Sequence, residues 1–470
     1  MNQRSSADIH RSFKFSFLEG IFGAPIATIS SGALLTGYAL YLGATPLEIS
    51  LILSLPFLTQ LVQLVAPRVI EAVGDLRKVT AYGTLYSRLI WGLIGLLPLL
   101  FLLGWNPIAP FLALSAVSLI LFNVSLNSWL IWMADLIPRR MRGRFFGRRN
   151  MYIGLITMGL LLGTGYFLDI FAAQGETGLG YSILILTGVA LSYFSFRFIL
   201  QVKNVPVVTN GRTSRARLLD EFRHNEQFRS ILTFIGIWTF VTGIASPFYY
   251  VYLFETLRWS YADATIYAAI ATGLPFLMQP FWGKILDRVG HKPLLHICVS
   301  SVTVVPLVWI LITPPVSRYL WIEALVSGTL WAGINITVFN IVLYALPGDR
   351  KAPVVAAFSS VTGVINFVAM ILGGIIVSLI GAVHFRISTW EFSVYHVPFF
   401  LSFVGRIFAA GFIKNIREPE AKSVSVVAQV ITSGLIKRVS LGRQFWVFFT
   451  RINGKKNGRK KNADLNTEKH

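Results

Sequence analysis

The sequence holds twelve apolar runs, near 15–42, 47–66, 79–103, 111–137, 151–171, 179–200, 228–253, 262–281, 293–312, 319–346, 354–380 and 397–413. A helix of about 20 apolar residues crosses the hydrocarbon layer of a bilayer. Lipid offers no hydrogen bonds, so such runs must satisfy their own backbone, which a helix does. The chain as a whole is 54% hydrophobic and 13% charged, about half the charge of a soluble domain. An all-α, multi-pass membrane protein of twelve transmembrane helices is the expected fold, and a soluble core is excluded.

The basic residues orient it. With the N-terminus in the cytoplasm, 36 of the 42 Lys and Arg fall on the cytoplasmic side. Arg258, Arg318 and Arg386 fall on the other, while Arg88, Arg197 and Arg406 lie within spans. Basic loops stay inside, so both termini are expected in the cytoplasm, in a bacterial inner (plasma) membrane. Anionic membrane lipid is partner enough for a net charge of +21, and no nucleic acid is needed. The single cysteine, Cys298, lies in an apolar run and forms no internal disulfide.

Two strings nearly coincide, LPFLTQ at 55–60 and LPFLMQ at 274–279. Each follows a helix-start signal. Thr45 stands three residues before Glu48, and Ser260 three before Asp263, with Pro46 at the first helical position of the former. The spacing predicts two six-helix bundles, 15–200 and 228–413, related by a pseudo-twofold. Around them lie an N-terminal arm (1–14), a central loop (201–227) and a basic tail (414–470). Leu218, Leu219 and Phe222 give the central loop one apolar face. Apolar residues recurring through 424–449 predict a basic amphipathic helix on the inner leaflet.

Each copy of the repeat leads into a charged loop. The second reads Gly283-Lys-Ile-Leu-Asp287-Arg288-Val-Gly290-His-Lys292. It resembles the G-x-L-x-D-R-x-G-R-R loop of the major facilitator superfamily, and it sits between spans 8 and 9 where that family places it. Pro138, Arg142 and Gly143 resemble the family's Pro-x-x-x-R-G pattern after span 4. The resemblance implies a secondary transporter that moves a small solute by alternating access, without enzyme activity or cofactor. It further implies a latch on the cytoplasmic side, in which Asp287 faces the N-terminus of span 5 near Asn150. Gly283, Arg288, Gly290 and Lys292 belong to this latch. The first copy keeps Glu71, Gly74, Asp75 and Arg77 but has Pro67 and Ala72 where the family carries glycine and arginine. The G-P-x-x-G-G ending of drug-antiporter span 5 is absent, GTGYFLD taking its place.

Polar groups inside spans are costly and mark candidate sites. Gln60 and Gln279 occupy equivalent places, Asn123 and Asn127 lie one turn apart, and Thr337, Asn340 and Tyr344 share a helix face. The family lines its cavity with spans 1, 4, 7 and 10, which adds Trp238, Thr242 and Tyr249. For each of these groups, helix–helix hydrogen bonding is the competing role. Glu19 is the acid of inner span 1. It is either a proton carrier or the partner of Arg88 in a salt bridge. Glu323 is expected to be hydrated at a helix end, and Arg197 and Arg406 to reach the cytoplasmic surface. Pro25 and Pro247 are expected to kink spans 1 and 7. No metal-ligating histidine pair occurs at helical spacing. Lipid, small solute and protons are the expected partners of a monomer. A transporter-like receptor or assembly factor working through its tail is the second reading.

Overall fold

The computed structural model describes residues 6–205, 224–345, 351–381, 383, 385–387 and 390–418. Most of the central loop and of the tail, with the amphipathic helices expected there, lies outside the described residues. Span 1 joins Ser6–Ile29 to Gly32–Tyr41, and span 2 joins Pro46–Leu58 to a 3-10 segment, Thr59–Leu64. Span 3 is Leu76–Ile94 with Leu97–Leu102, and spans 4, 5 and 6 are Ile108–Leu136, Arg139–Ala173 and Thr177–Gln201. Span 7 is Glu226–Ala245 with Phe248–Glu255, span 8 is Tyr261–Val289, and span 9 is His291–Val302 with Val305–Leu311. Spans 10, 11 and 12 are Leu320–Tyr344, Lys351–Ile380 and His396–Gly411. Ten of these segments are individually long and apolar enough to cross a membrane, and the bent span 1 makes eleven. Span 8 completes the twelve, its apolar content diluted by Tyr261, Asp263 and Tyr267.

Both helix-start signals of the repeat are formed. The Thr45 side chain accepts from the Glu48 N–H while Glu48 accepts from the Thr45 N–H, a reciprocal capping box. Ser260 accepts from the Asp263 N–H at 3.1 Å. Beyond these caps the copies diverge. Span 2 tightens into 3-10 geometry at Thr59, after Pro56, and a short helix, Ala66–Val73, follows it. Span 8 continues unbroken through Pro275 and Pro280 to Val289.

Three expectations change. Span 1 bends by 42° at Ser30–Ser31, before Gly32 at φ +56°, and not at Pro25, which the helix absorbs. Only glycine takes that φ without strain, so Gly32 sets the bend. Pro247 does stand at the break in span 7. The arginine-rich stretch 138–150 is helix rather than loop, because span 5 begins at Arg139. A two-stranded antiparallel hairpin, β1 (Phe385–Ile387) and β2 (Trp390–Phe392), lies between spans 11 and 12. Strands of three residues are too short to show a period of two in sequence.

The buried side chains form three clusters. One contains Leu34, Tyr38 and Phe111 of the first bundle together with Tyr252, Trp309 and Phe399 of the second. The other two stay within one bundle each. Phe228, Leu294 and Ile413 mark the second bundle, and Ile70, Leu136 and Val202 the first. These separate clusters lie at the end of the molecule where span 12 finishes and the arginine-rich start of span 5 sits, here named the basic face. The bundles therefore share a core at the far face and stand apart at the basic face. Leu93, Tyr193, Val326 and Phe408 are exposed on the outer surface, as side chains facing lipid must be.

Candidate functional site

A cavity of about 880 Å³ opens between the bundles. Its walls follow helical spacing. Trp238, Thr242, Ser246 and Tyr249 line one face of span 7, and Glu323, Ser327, Trp331, Ile334, Asn335 and Val338 one face of span 10. Phe57 and Gln60 of span 2 oppose Ser359, Thr362 and Asn366 of span 11, and Arg406 reaches in from span 12. Of the residues singled out in sequence, Gln60, Trp238, Thr242 and Tyr249 line the cavity.

The others stand elsewhere. Gln279 is exposed outside it. Asn123 donates to Thr59 Oγ1 across to span 2 at 3.1 Å and to Leu119 O at 2.9 Å, and Asn127 donates to Asn123 O. Thr337 and Asn340 bond back to Gly333 O and Ile336 O one turn earlier. The wet face of span 10 is thus rotated away from the face that carries these two residues. A short polar side chain that satisfies itself on its own helix leaves a face free to pack.

The cavity's acid and its arginine were both misplaced by the sequence reading. Glu323 is buried, not hydrated, and accepts from the Tyr267 hydroxyl at 2.8 Å. Arg406 does not reach the surface. It is 2% exposed, donates to Val302 O at 3.1 Å and to the Tyr249 hydroxyl at 3.4 Å, and lies over the Trp238 ring. Position near a helix end suggested solvent, but both side chains are buried in the wall of the cavity. Arg197 is exposed, as expected.

Glu19 lies in the interior of the first bundle and not on the cavity wall. Arg149 Nη2 meets Glu19 Oε2 at 2.7 Å, and Arg88 Nη2 stands 3.9 Å from Oε1. Arg149 also donates to Ser16 O and lies over the Trp129 ring, 4.4 Å from its centre. Sequence reasoning missed Arg149 because a run of arginines reads as a loop. Gly23 leaves room for the Arg88 guanidinium, which a Cβ there would strike.

At the far face the bundles are bolted together. Asp169 of span 5 accepts from the N–H groups of Tyr261 at 2.8 Å and Ala262 at 3.0 Å, the first turn of span 8. Those donors have no partner within their own helix, and the positive helix end favours the carboxylate. Close by, a Cβ on Gly165 would overlap Thr265 and the backbone of span 8. A Cβ on Gly374 of span 11 would likewise meet Ser50 of span 2, at 2.7 Å, with Leu47 close by. Sequence offered a cue to Asp169 in the segment GTGYFLD, an acid at the end of a glycine-bearing helix.

Among the described residues, the basic face shows no such bolt. Asp287 and Arg288 are exposed, and Asp287 has no hydrogen bond or ion pair among the described residues. Span 5 starts more than two turns before Asn150, so the helix end expected to receive Asp287 is not there. Gly290, at φ +91°, ends span 8 and starts span 9. A glycine offers no capping side chain, and Glu418 supplies one. It accepts from the N–H groups of His291 at 3.0 Å and Lys292 at 2.6 Å, with the His291 ring at 2.7 Å, while Lys292 Nζ donates to Lys414 O. In the first bundle Asp75 does the same for span 3, accepting from the Lys78 N–H at 2.9 Å after Gly74 in left-handed geometry. Arg77 donates to Leu200 O, and Glu71 is exposed.

Burial alone would raise the Glu418 carboxyl, but the hydrogen bonds from the His291 ring and from both N–H groups outweigh it and hold the group below the ordinary carboxylate value. A depressed folded-state value adds stability above the unfolded-state value, about 4.3 for glutamate, and loses it as pH falls through the folded value. Glu418→Gln is therefore expected to lower the melting temperature at neutral pH and to flatten its decline below about pH 4. Melts of the two proteins across pH test this, and parallel curves would refute it.

Comparison with curated proteins finds no match. Among solved structures, a point mutant of the nucleoside transporter NupG superposes with a TM-score of 0.65 at 14% identity, over 87% of this chain and 100% of that one. A D-xylose–proton symporter gives 0.63 at 15%, covering 88% and 99%. A bacterial homologue of the human lysosomal transporter Spinster, inward-facing and unoccupied, gives 0.61 at 12%, covering 88% and 98%. At these identities the likeness is one of fold. The sequence itself matches the Major Facilitator Superfamily profile over residues 17–369. That match covers more than half of the chain, and together with twelve spans in two bundles it makes this protein a member of the Major Facilitator Superfamily.

Proposed function

We propose that this conformation is the inward-facing state of a solute carrier whose basic face lies in the cytoplasm. Membership of the family makes the chain a secondary transporter of a small molecule, not an enzyme. The observation that carries the inward-facing reading is the division of the core, shared by both bundles at the far face and split at the basic face. The basic face is read as cytoplasmic because the sequence assigns nearly all the lysines and arginines to the segments on the side where span 12 ends and span 5 begins. Rocking the bundles about the cavity would part Asp169 from span 8 and close the basic face. Asp287 and its neighbours 283–292, with 71–77 of the first bundle, form the latch engaged in that other state.

The solute is small and amphipathic, because aromatic rings and scattered hydroxyls and amides line the cavity together. The D-xylose–proton symporter supports protons as the coupling ion, and Glu19 with Arg88 is the candidate carrier. Glu19→Gln in proteoliposomes is then expected to abolish gradient-driven accumulation while sparing solute exchange. Accumulation at the wild-type level would exclude Glu19. The orientation is tested separately with single cysteines at Gly175 and Arg288. A membrane-impermeant thiol reagent applied to intact cells is expected to label the first and not the second.

A further inference from the structure

We propose that the transported solute is a zwitterion, its anionic end seated at Arg406 and its ammonium end at Glu323. The inference rests on the transporter reading and deepens it. Arg406 and Glu323 line the same cavity and are 2% and 8% exposed. One is a base and the other an acid, yet among the described residues no carboxylate lies within 4 Å of Arg406 and no basic group within 4 Å of Glu323, so the two act on each other only across the cavity. Each is held by neutral groups alone. Arg406 has a carbonyl and a phenol, and its Nε has no acceptor. Glu323 has one phenol on Oε2 and no hydrogen-bond partner on Oε1 among the described residues, with Ser327 and Trp309 near the carboxyl.

A buried charge with no counter-charge in contact is costly, so both groups gain from a ligand that brings one. A simple anion would answer Arg406 and leave Glu323 as it is, and a simple cation the reverse. A zwitterion answers both, and its net charge of zero matches the wall's. The surroundings sort the two ends. Glu323 sits among aromatic rings, with the Tyr267 and Tyr249 centroids 5.6 and 4.8 Å from that of Trp309. Aromatic faces next to a carboxylate suit an ammonium group, including a methylated one. The planar, multiply donating guanidinium of Arg406 suits a carboxylate or phosphate. Tyr249 stands between the ends, hydrogen-bonded to Arg406 and packed on Trp309.

The test uses the purified full chain and thermal shift, because a ligand that binds only the folded state raises its melting temperature. The probes are zwitterions (glycine betaine, proline, phenylalanine), monoanions of matched size (pivalate, hydrocinnamate), monocations (choline, phenethylammonium) and neutral sugars. At least one zwitterion is expected to stabilise the protein, with its matched monoanion and monocation at least tenfold weaker. Glu323→Gln is expected to abolish that preference, so that the zwitterion and its monoanion bind within threefold of each other. Absence of any shift with the zwitterions, or a preference that survives Glu323→Gln in protein that still melts cooperatively, overturns the inference. Proteoliposome flux separates the two readings. Flux of a sugar or monoanion with no zwitterion flux leaves a transporter and removes the zwitterion. Zwitterion binding with no flux of any probe keeps the site and removes the transport reading.

Discussion

Glu19→Ala is expected to cost about 3–5 kcal/mol, the usual penalty for removing one member of a buried ion pair. The reason lies in the partners left behind. Arg149 and Arg88 would face each other inside the first bundle with no carboxylate between them, and Arg88 Nη1 already has no hydrogen-bond partner among the described residues. Their positive charges would then repel across a poorly screened interior. The measurement is the thermal melt of the detergent-purified protein, and a companion variant keeps it interpretable. Glu19→Ala combined with Arg149→Met is expected to recover part of the loss, because it removes one uncompensated cation. A melting temperature for Glu19→Ala within a degree of wild type would show that the triad contributes little to stability.

Asp169→Ala is expected to release the far face. Hydrogen bonds to a charged acceptor are worth about 1.5–3 kcal/mol each, and Asp169 accepts two across the junction of the bundles. Even partial loss, on the order of 3 kcal/mol, shifts a two-state equilibrium by roughly 100-fold. Spin labels on exposed positions at the far ends of spans 5 and 8, Gly175→Cys and Arg258→Cys, would read it by pulsed electron resonance. A longer distance population is expected to grow at the expense of the short one. An unchanged distribution would mean that the glycine contacts at Gly165 and Gly374 hold the far face without the carboxylate. Asp169→Asn keeps one acceptor oxygen and should fall between the two.

Features set by local chemistry were readable in the sequence. A hydroxyl three residues before an acid builds the same cap in nearly any surroundings, so Thr45–Glu48 and Ser260–Asp263 were found where they form. Span count and pairing of the bundles followed from run length and from the near-identical strings. Features set by the rotation or depth of a helix were not readable. Thr337 and Asn340 looked like a polar stripe, but they are satisfied on their own helix and that stripe does not line the cavity. Arg149 looked like loop because composition cannot tell a solvated arginine from one folded back onto Glu19. Glu323 and Arg406 were assigned to water by their distance along the helix, a coordinate that carries no information about neighbours. Asp287 was read from the family's pattern, which describes a cycle of states, whereas a single structure holds one of them.

Spans 1 and 7 are each interrupted on the far side, at Gly32 and at Pro247, and Gly32 lies against the Tyr250 ring across the junction. The pieces beyond the breaks are short, Gly32–Tyr41 and Phe248–Glu255, and both contribute to the shared core. Such segments can pivot while the long lower helices stay put. A door at the far face then has its own hinges, so occlusion of a bound solute and tilting of the whole bundles become two separable motions, with two barriers to measure rather than one.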